Sequence, residues 1–188
     1  MFSLYPTVLG SGFGQLAPLL QRFHTEAGTV WQGEATVRRS RSALLRMLLT
    51  LGRLPKDGQH VAVSVQLAIQ NEQEIWQRRF ADRAMVSRQY MAADGLRESI
   101  GMLSLSLINS VREDVLFQHS EKCRFLGIPL PGWLAFNVVA REWSERGRLH
   151  FDVTINFVRW ELISYSGWVQ PIYSRWLPSN SDSEIQGA

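Results

Sequence analysis

From His60 to beyond residue 160, apolar side chains recur at every second position, and this alternation constrains the fold more than any other feature of the chain. A period of two sends successive side chains to opposite faces of a strand, whereas a helix needs a period of 3.6. Val61, Val63, Val65, Leu67 and Ile69 alternate with Ala62, Ser64, Gln66 and Ala68, so one face of the first long strand suits a core. Turn chemistry interrupts the pattern at Asn71-Glu72, Asp82-Arg83, Asp94-Gly95, Asn109 to Asp114, Gly127 to Gly132 and Glu145-Arg146-Gly147. Strands are predicted between them at 75–80, 85–91, 96–108, 115–125, 136–144, 148–157 and 162–169. Turns this short leave no room for crossover helices, so the strands form an antiparallel meander.

Ahead of the meander, Leu16, Leu19, Leu20 and Phe23 fall at helical spacing between Gly14 and His24, with Pro18 in the first turn and Gly28 as a break. A strand over Gly33 to Arg39 follows. Ser42 is placed to cap a second helix, Ala43 to Leu51, which ends before Gly52 and Pro55. Leu44, Leu45, Met47, Leu48, Leu49 and Leu51 make that helix apolar almost all round, so it must be covered on most sides. It reads as a core helix gripped by a sheet, as a lid over an apolar cavity, or as a surface that meets a membrane or a partner.

The predicted fold class is α+β. A single curved antiparallel sheet, a half-barrel or barrel-like meander of about eight or nine strands, packs its concave side on the N-terminal helix and the Leu-rich helix. One globular domain spans residues 1–177, and the Ser/Asn/Asp/Gly-rich residues 178–188 form a disordered tail. Sheets of this shape often enclose a cavity.

With 188 residues, 45% of them apolar, the chain can bury one continuous core. Its 20 Lys plus Arg against 17 Asp plus Glu give a net charge of only +3, too slight for a nucleic-acid arm. The dispersed Trp31, Trp133, Trp143, Trp160, Trp168 and Trp176 suit core and rim better than a base-stacking platform, so no nucleic-acid partner is expected. All the basic residues except Lys56 and Lys122 are arginines. Codon usage accounts for most of them, and the informative ones are those where only a planar, permanently charged donor serves.

Cys123 is the sole cysteine, which excludes an intrachain disulfide and fits a reducing compartment. Strand alternation turns its neighbours Lys122 and Arg124 away, so it reads as core filler. Met1 to Leu20 lacks a basic n-region and is broken by Pro6, Gly10, Gly12, Gly14 and Pro18, unlike a signal peptide. The longest apolar block, Ala43 to Leu54, falls short of the ~20 residues of a membrane span. A cytoplasmic chain without integral membrane association is predicted. The four histidines and one cysteine have no zinc-ligand spacing, no Gly-rich phosphate loop follows a strand, and no serine sits in a nucleophile elbow. No metal or cofactor is expected. His150 and Asp152 share a strand face, as do His119 and Glu121, but the first pair falls on the polar outer side; His24, at the end of an apolar helical stripe, is expected to cap or pack.

The informative stretch is Ile75 to Ile100. If Trp76, Arg78 and Phe80 point inward, the apolar match across a turn at 82–84 is Val86, Arg88 and Tyr90, and the next strand presents Leu96, Glu98 and Ile100. That register sets Arg78, Arg88 and Glu98 side by side on an otherwise apolar and aromatic face. Glu142 joins them, in phase with Phe136, Val138 and Ala140. Buried charges must be compensated by partners, water or a ligand. An Arg/Glu network that fixes strand register is one reading. A site is the other: Arg78 and Arg88 would recognise an anionic head, with Trp76, Phe80 and Tyr90 holding an apolar body and Glu98 and Glu142 as further polar contacts.

Leu9-Gly10, Phe23-His24, Gly33-Glu34, Trp76-x-Arg78-x-Phe80, Leu126-Gly127-Ile128-Pro129-Leu130-Pro131 and Tyr165-x-Gly167-Trp168 together resemble the bacterial family known as domain of unknown function 4166, over residues 5 to 171. The resemblance implies no established activity. It does imply a possible dehydrogenase-like or epimerase-like protein partner, because some relatives carry such a domain beside this one. Three functions follow: a binding or accessory domain for an apolar or amphipathic small molecule with an anionic group; an isomerase- or cyclase-like enzyme using Glu98 or Glu142; and an interaction module for that partner.

Overall fold

The computed structural model describes residues 3–51 and 54–172, with the side chains of Leu48 and Leu51 left aside; the expected tail at 178–188 lies outside these residues. Three helices, α1 (Leu4–Leu9), α2 (Pro18–Thr25) and α3 (Ala43–Leu51), accompany eleven strands. These are β1 (Val30–Arg39), β2 (Gly58–Gln70), β3 (Gln73–Phe80), β4 (Arg83–Ala92), β5 (Gly95–Ile100), β6 (Leu103–Arg112), β7 (Val115–Phe125), β8 (Ile128–Pro129), β9 (Phe136–Glu145), β10 (Arg148–Phe157) and β11 (Trp160–Pro171). Every neighbouring pair is antiparallel, as the alternation predicts.

The sheet is closed, the barrel-like rather than the half-barrel form of the expected meander, and its strand number corrects the expected eight or nine. β1 pairs with β11, β6 with β7, and β7 with β9, so ten strands form a ring and the two-residue β8 hangs outside it. Closure removes the unpaired edges an open sheet would present. One missed turn supplies the additional ring strand, and a second turn is shifted. The stretch 96–108, expected as one strand, is broken at Gly101-Met102, where Gly101 takes a φ of +57°. Asn109, expected in a turn, continues β6 opposite Gln118, and the reversal falls at Glu113-Asp114.

At one end of the barrel α1, a 3-10 segment (Gly10–Gln15) and α2 form a plug. Pro6 is tolerated in α1 because first-turn amides have no helical acceptor to lose. Leu20 and Phe23 of α2 enter the core beside Trp31 and Trp76. The opposite end carries α3, which corrects its expected place on the concave side. Leu49 is buried and Leu45 packs behind it, while Leu44 and Met47 on the other face are exposed. Arg39 clamps the segment that follows, donating to the Leu54 and Pro55 carbonyls and to Thr50 Oγ1 at 3.0 Å.

Candidate functional site

Closing ten strands leaves an interior that side chains do not fill. The barrel encloses a cavity of about 100 Å³, and at ~10–15 Å³ per water it has room for roughly seven to ten waters. Its wall is mainly apolar: Val63, Val65, Phe80, Met85, Ile100 and Phe151 continue to the α3 end, where Leu54 closes it. Polar groups gather at mid-depth and towards the plug: Arg78, Glu98, Gln118, Glu142, Tyr165, Tyr5 and His24.

Arg78 points inward from β3, as its phase with the buried Trp76 and Phe80 requires. Its Nη1 donates to Ser87 Oγ at 2.7 Å and to Glu98 Oε1 at 3.3 Å. Ser87 occupies β4 between them, and only so small a side chain lets the guanidinium reach two strands away. Burial is the largest single influence on the Arg78 pKa and lowers it; the Glu98 carboxylate, joined by Tyr165, Tyr5 and Glu142, outweighs it and the net shift is upward, so the guanidinium stays charged. Nη2 and Nε have no acceptor among the described residues. They remain available to whatever occupies the cavity, and the 22% exposure of this side chain faces that space.

Arg88 and Tyr90 do not join the row. The β3–β4 hairpin turns at Ala81-Asp82, pairing Phe80 with Arg83 and Arg78 with Met85. The turn expected at 82–84 is thus one residue out, and a one-residue slip sends a whole strand to the other face. Met85, Ser87 and Gln89 face inward; Val86 and Arg88 are exposed, and Tyr90 lies outside near Ser99 and Arg97. Trp76, Phe80, Glu98 and Glu142 line the cavity. His150 stacks on Trp143 and Asp152 pairs with Arg141 on the outside, and Cys123 is buried, with burial pushing its thiol pKa up.

His24 and Tyr5 complete the polar end. His24 Nε2 meets Glu142 Oε2 at 2.7 Å, and its ring lies 3.8 Å from that of Tyr5. Gln118 Nε2 donates to the Tyr5 hydroxyl at 3.3 Å. Just beneath, fully buried Glu74 accepts from Leu4 N and Ser3 Oγ, each at 2.7 Å, and from Trp76 Nε1 at 3.2 Å, pinning the segment that carries Tyr5. Burial, with the Glu142, Glu74 and Glu98 carboxylates adding, pushes the Tyr5 pKa far up. Burial likewise pushes Tyr165 up to about 12, with Arg78 opposing. Both phenols are therefore neutral hydrogen-bonding groups at physiological pH. His24 and Tyr165 sit inside the short motifs Phe23-His24 and Tyr165-x-Gly167-Trp168, a signal the strand phase alone did not turn into a site. Tyr5 had no such signal.

No curated protein matches the chain significantly. A solved protein of unknown function from Nostoc punctiforme, of the DUF3598 family, is 9% identical and superposes with a TM-score of 0.41 over 77% of this chain and 47% of its own, so this chain spans about half its length. The structure named REP1-NXSQ fatty acid transporter is 8% identical, with a TM-score of 0.36 over 79% of this chain and 96% of its own. Neither likeness is close enough to carry a function across. A family model described as Domain of unknown function (DUF4166) matches residues 16–169, from the approach to α2 to the end of the barrel, and the chain belongs to that family.

Proposed function

We propose that the barrel binds one small amphipathic molecule, its polar head between Arg78 and Glu142 and its apolar body among Val63, Phe80, Ile100 and Phe151. The observation that carries this reading is the cavity itself, apolar along most of its wall and polar at one end. Its size suits a ligand of roughly ten to fifteen non-hydrogen atoms, taking the same seven to ten waters at about 30 Å³ each.

The head is neutral rather than anionic. An anionic head needs the two inward arginines Arg78 and Arg88, and Arg88 lies outside. Arg78 is already balanced by Glu98, and Glu142 adds a second acid, so a ligand carboxylate would meet like charge. A hydroxyl or an N–H amide can accept from Arg78 and donate to a carboxylate with no such penalty.

A matched series of medium-chain alcohols, amides and carboxylates tests this by thermal unfolding. Alcohols and amides are expected to raise Tm in a saturable way, at least tenfold more tightly than the carboxylate of equal length. Equal or preferred binding of the carboxylate would overturn the neutral head, and no stabilisation by any member would overturn the binding reading. A second reading is favoured by one contact: Oε2 of Glu142 is held by His24 and Oε1 has no partner among the described residues, so Oε1 can take a proton from bound ligand and return it, as an isomerase base does. Solvent deuterium entering a retained ligand, and failing to enter in Glu142→Gln, would favour that chemistry.

A further inference from the structure

The two ends of the barrel differ in what their turns expose. At the plug end the hairpin tips are polar: Asn71-Glu72, Asp94-Gly95, Glu113-Asp114 and Arg146-Gly147. At the α3 end, apart from Ala81-Asp82, the tips and α3 carry exposed apolar residues. Leu44 and Met47 on α3, Met102 between β5 and β6, Leu126 and Ile128 after β7, and Trp160 after β10 are all exposed there. Trp133, in the 3-10 turn (Gly132–Leu134) before β9, is exposed at 73%.

Two of these tips hold apolar residues where the backbone disfavours them. Leu126 has a φ of +51° and Val158 a φ of +59°, a region that glycine or asparagine enters at little cost and a β-branched residue enters rarely. Both side chains are nevertheless open to water, with Leu126 at 64% exposure. Folding gains nothing from apolar groups on such turns, so a contact outside the chain must account for them. Basic side chains sit among them. Arg38, Arg41, Arg124 and Arg159 have no ion pair among the described residues; of the acids nearby, Asp57 and Asp82 are each paired with a base and Glu161 accepts from Ser164 Oγ at 2.7 Å, so basic groups outnumber acidic ones here. Arg38 and Arg41 line an open groove of about 540 Å³ beside α3, with Arg39 and Arg46 and the two acids Asp57 and Glu161.

We propose that this end of the barrel docks on an anionic lipid bilayer, with Leu44, Leu126, Ile128, Trp133 and Trp160 entering the interface and the arginines meeting lipid phosphates. Separate protruding tips spread round a barrel mouth fit a fluid surface, tryptophan favours the headgroup boundary, and unpaired arginines complement its charge. The wall does not enter the lipid, because Arg88, Arg141 and Asp152 lie along its outer face. Docking does not require an occupied cavity, so this proposal and the ligand reading fail separately.

Sedimentation with vesicles of phosphatidylcholine alone and of phosphatidylcholine mixed with phosphatidylglycerol tests it. The protein is expected to bind the anionic vesicles and not the neutral ones, and millimolar inorganic phosphate is expected to leave that binding in place. Ile128→Asp should weaken it at least tenfold, and Arg41→Gln and Arg159→Gln by roughly fivefold each. Leu126→Gly should weaken binding while leaving Tm unchanged or higher, an outcome a purely structural role for Leu126 would not give. Met91→Asp, on an exposed position near the opposite end, should bind like the parent. Failure to bind, equal binding to neutral vesicles, loss of binding to free phosphate, or equal weakening by Met91→Asp would each overturn the proposal. So would a dimer in solution that Ile128→Asp dissociates, since a second copy would then cover the rim.

Discussion

Gly167→Ala is expected to abolish the folded barrel. A Cβ at this position would stand 2.1 Å from the Glu34 carbonyl oxygen and 2.7 Å from Ala35 Cα, both backbone atoms of the adjacent strand. Gly33→Ala meets the same obstacle from the other side, at 1.9 Å from the Trp168 oxygen. These glycines sit on β1 and β11, where Gly33 faces Val169 and Gly167 faces Ala35, so neither clash is relieved without parting the two strands. This pair joins the amino-terminal strand to the carboxyl-terminal one, and losing it opens the ring. Each substitution should cost more than about 4 kcal/mol, a large share of the ~5–15 kcal/mol that holds a typical domain together. Gly132→Ala is the control, since nothing lies within 4 Å of its Cβ position, and it should stay within about 0.5 kcal/mol of the parent. Denaturant midpoints decide the matter; a Gly167→Ala protein that unfolds cooperatively near the parent midpoint would contradict the close approach of these strands.

The second large effect is expected at the charged pair in the cavity. Arg78→Met leaves Glu98, 9% exposed, without its cation; Glu98→Leu leaves Arg78 with Ser87 alone. Removing one partner of a buried pair typically costs about 3–5 kcal/mol, and the cavity-facing exposure of Arg78 places these variants at the lower end of that range. The double variant Arg78→Met/Glu98→Leu should recover most of the loss, because no buried charge is then left unpaired. It should nevertheless lose the preference for alcohols and amides over alkanes of the same length. Chemical unfolding of the four proteins in the cycle, followed by the ligand series, separates the structural share of the pair from its share in recognition. If the single and double variants lose stability additively, the two side chains do not act as a pair.

The sequence made the sheet legible through its alternation, and the inward phase of Trp76, Arg78, Phe80, Glu98 and Glu142 followed from side-chain pattern alone. Closure did not, because the pairings that complete the ring depend on backbone partners, such as Leu116 with Glu142, far apart in the chain. The register of β4 was lost to a local ambiguity. Val86 and Tyr90 offered a more apolar face than Met85, Ser87 and Gln89, yet the latter are inside, and Ser87 and Gln89 are buried polar residues. A cavity that takes polar groups inward inverts the rule used to choose the face. A shift of one residue at the Ala81-Asp82 turn is all that separates an inward Arg88 from the exposed one observed. Tyr5 and His24 were hidden for another reason: they enter through the plug, where no strand phase applies and where Glu74, more than seventy residues downstream of Ser3, fixes the chain. The glycine motifs, in contrast, have a direct physical meaning, since Gly33 and Gly167 mark where two backbones touch.

Native mass spectrometry of the protein purified from its own host tests the central claim most directly. The account predicts a retained small molecule adding roughly 150–250 Da, the mass of ten to fifteen non-hydrogen atoms in a cavity of this size, released on denaturation and absent from the Arg78→Met/Glu98→Leu protein. A parent protein that carries only its bare chain mass, and gains none from the medium-chain alcohols and amides, would contradict it.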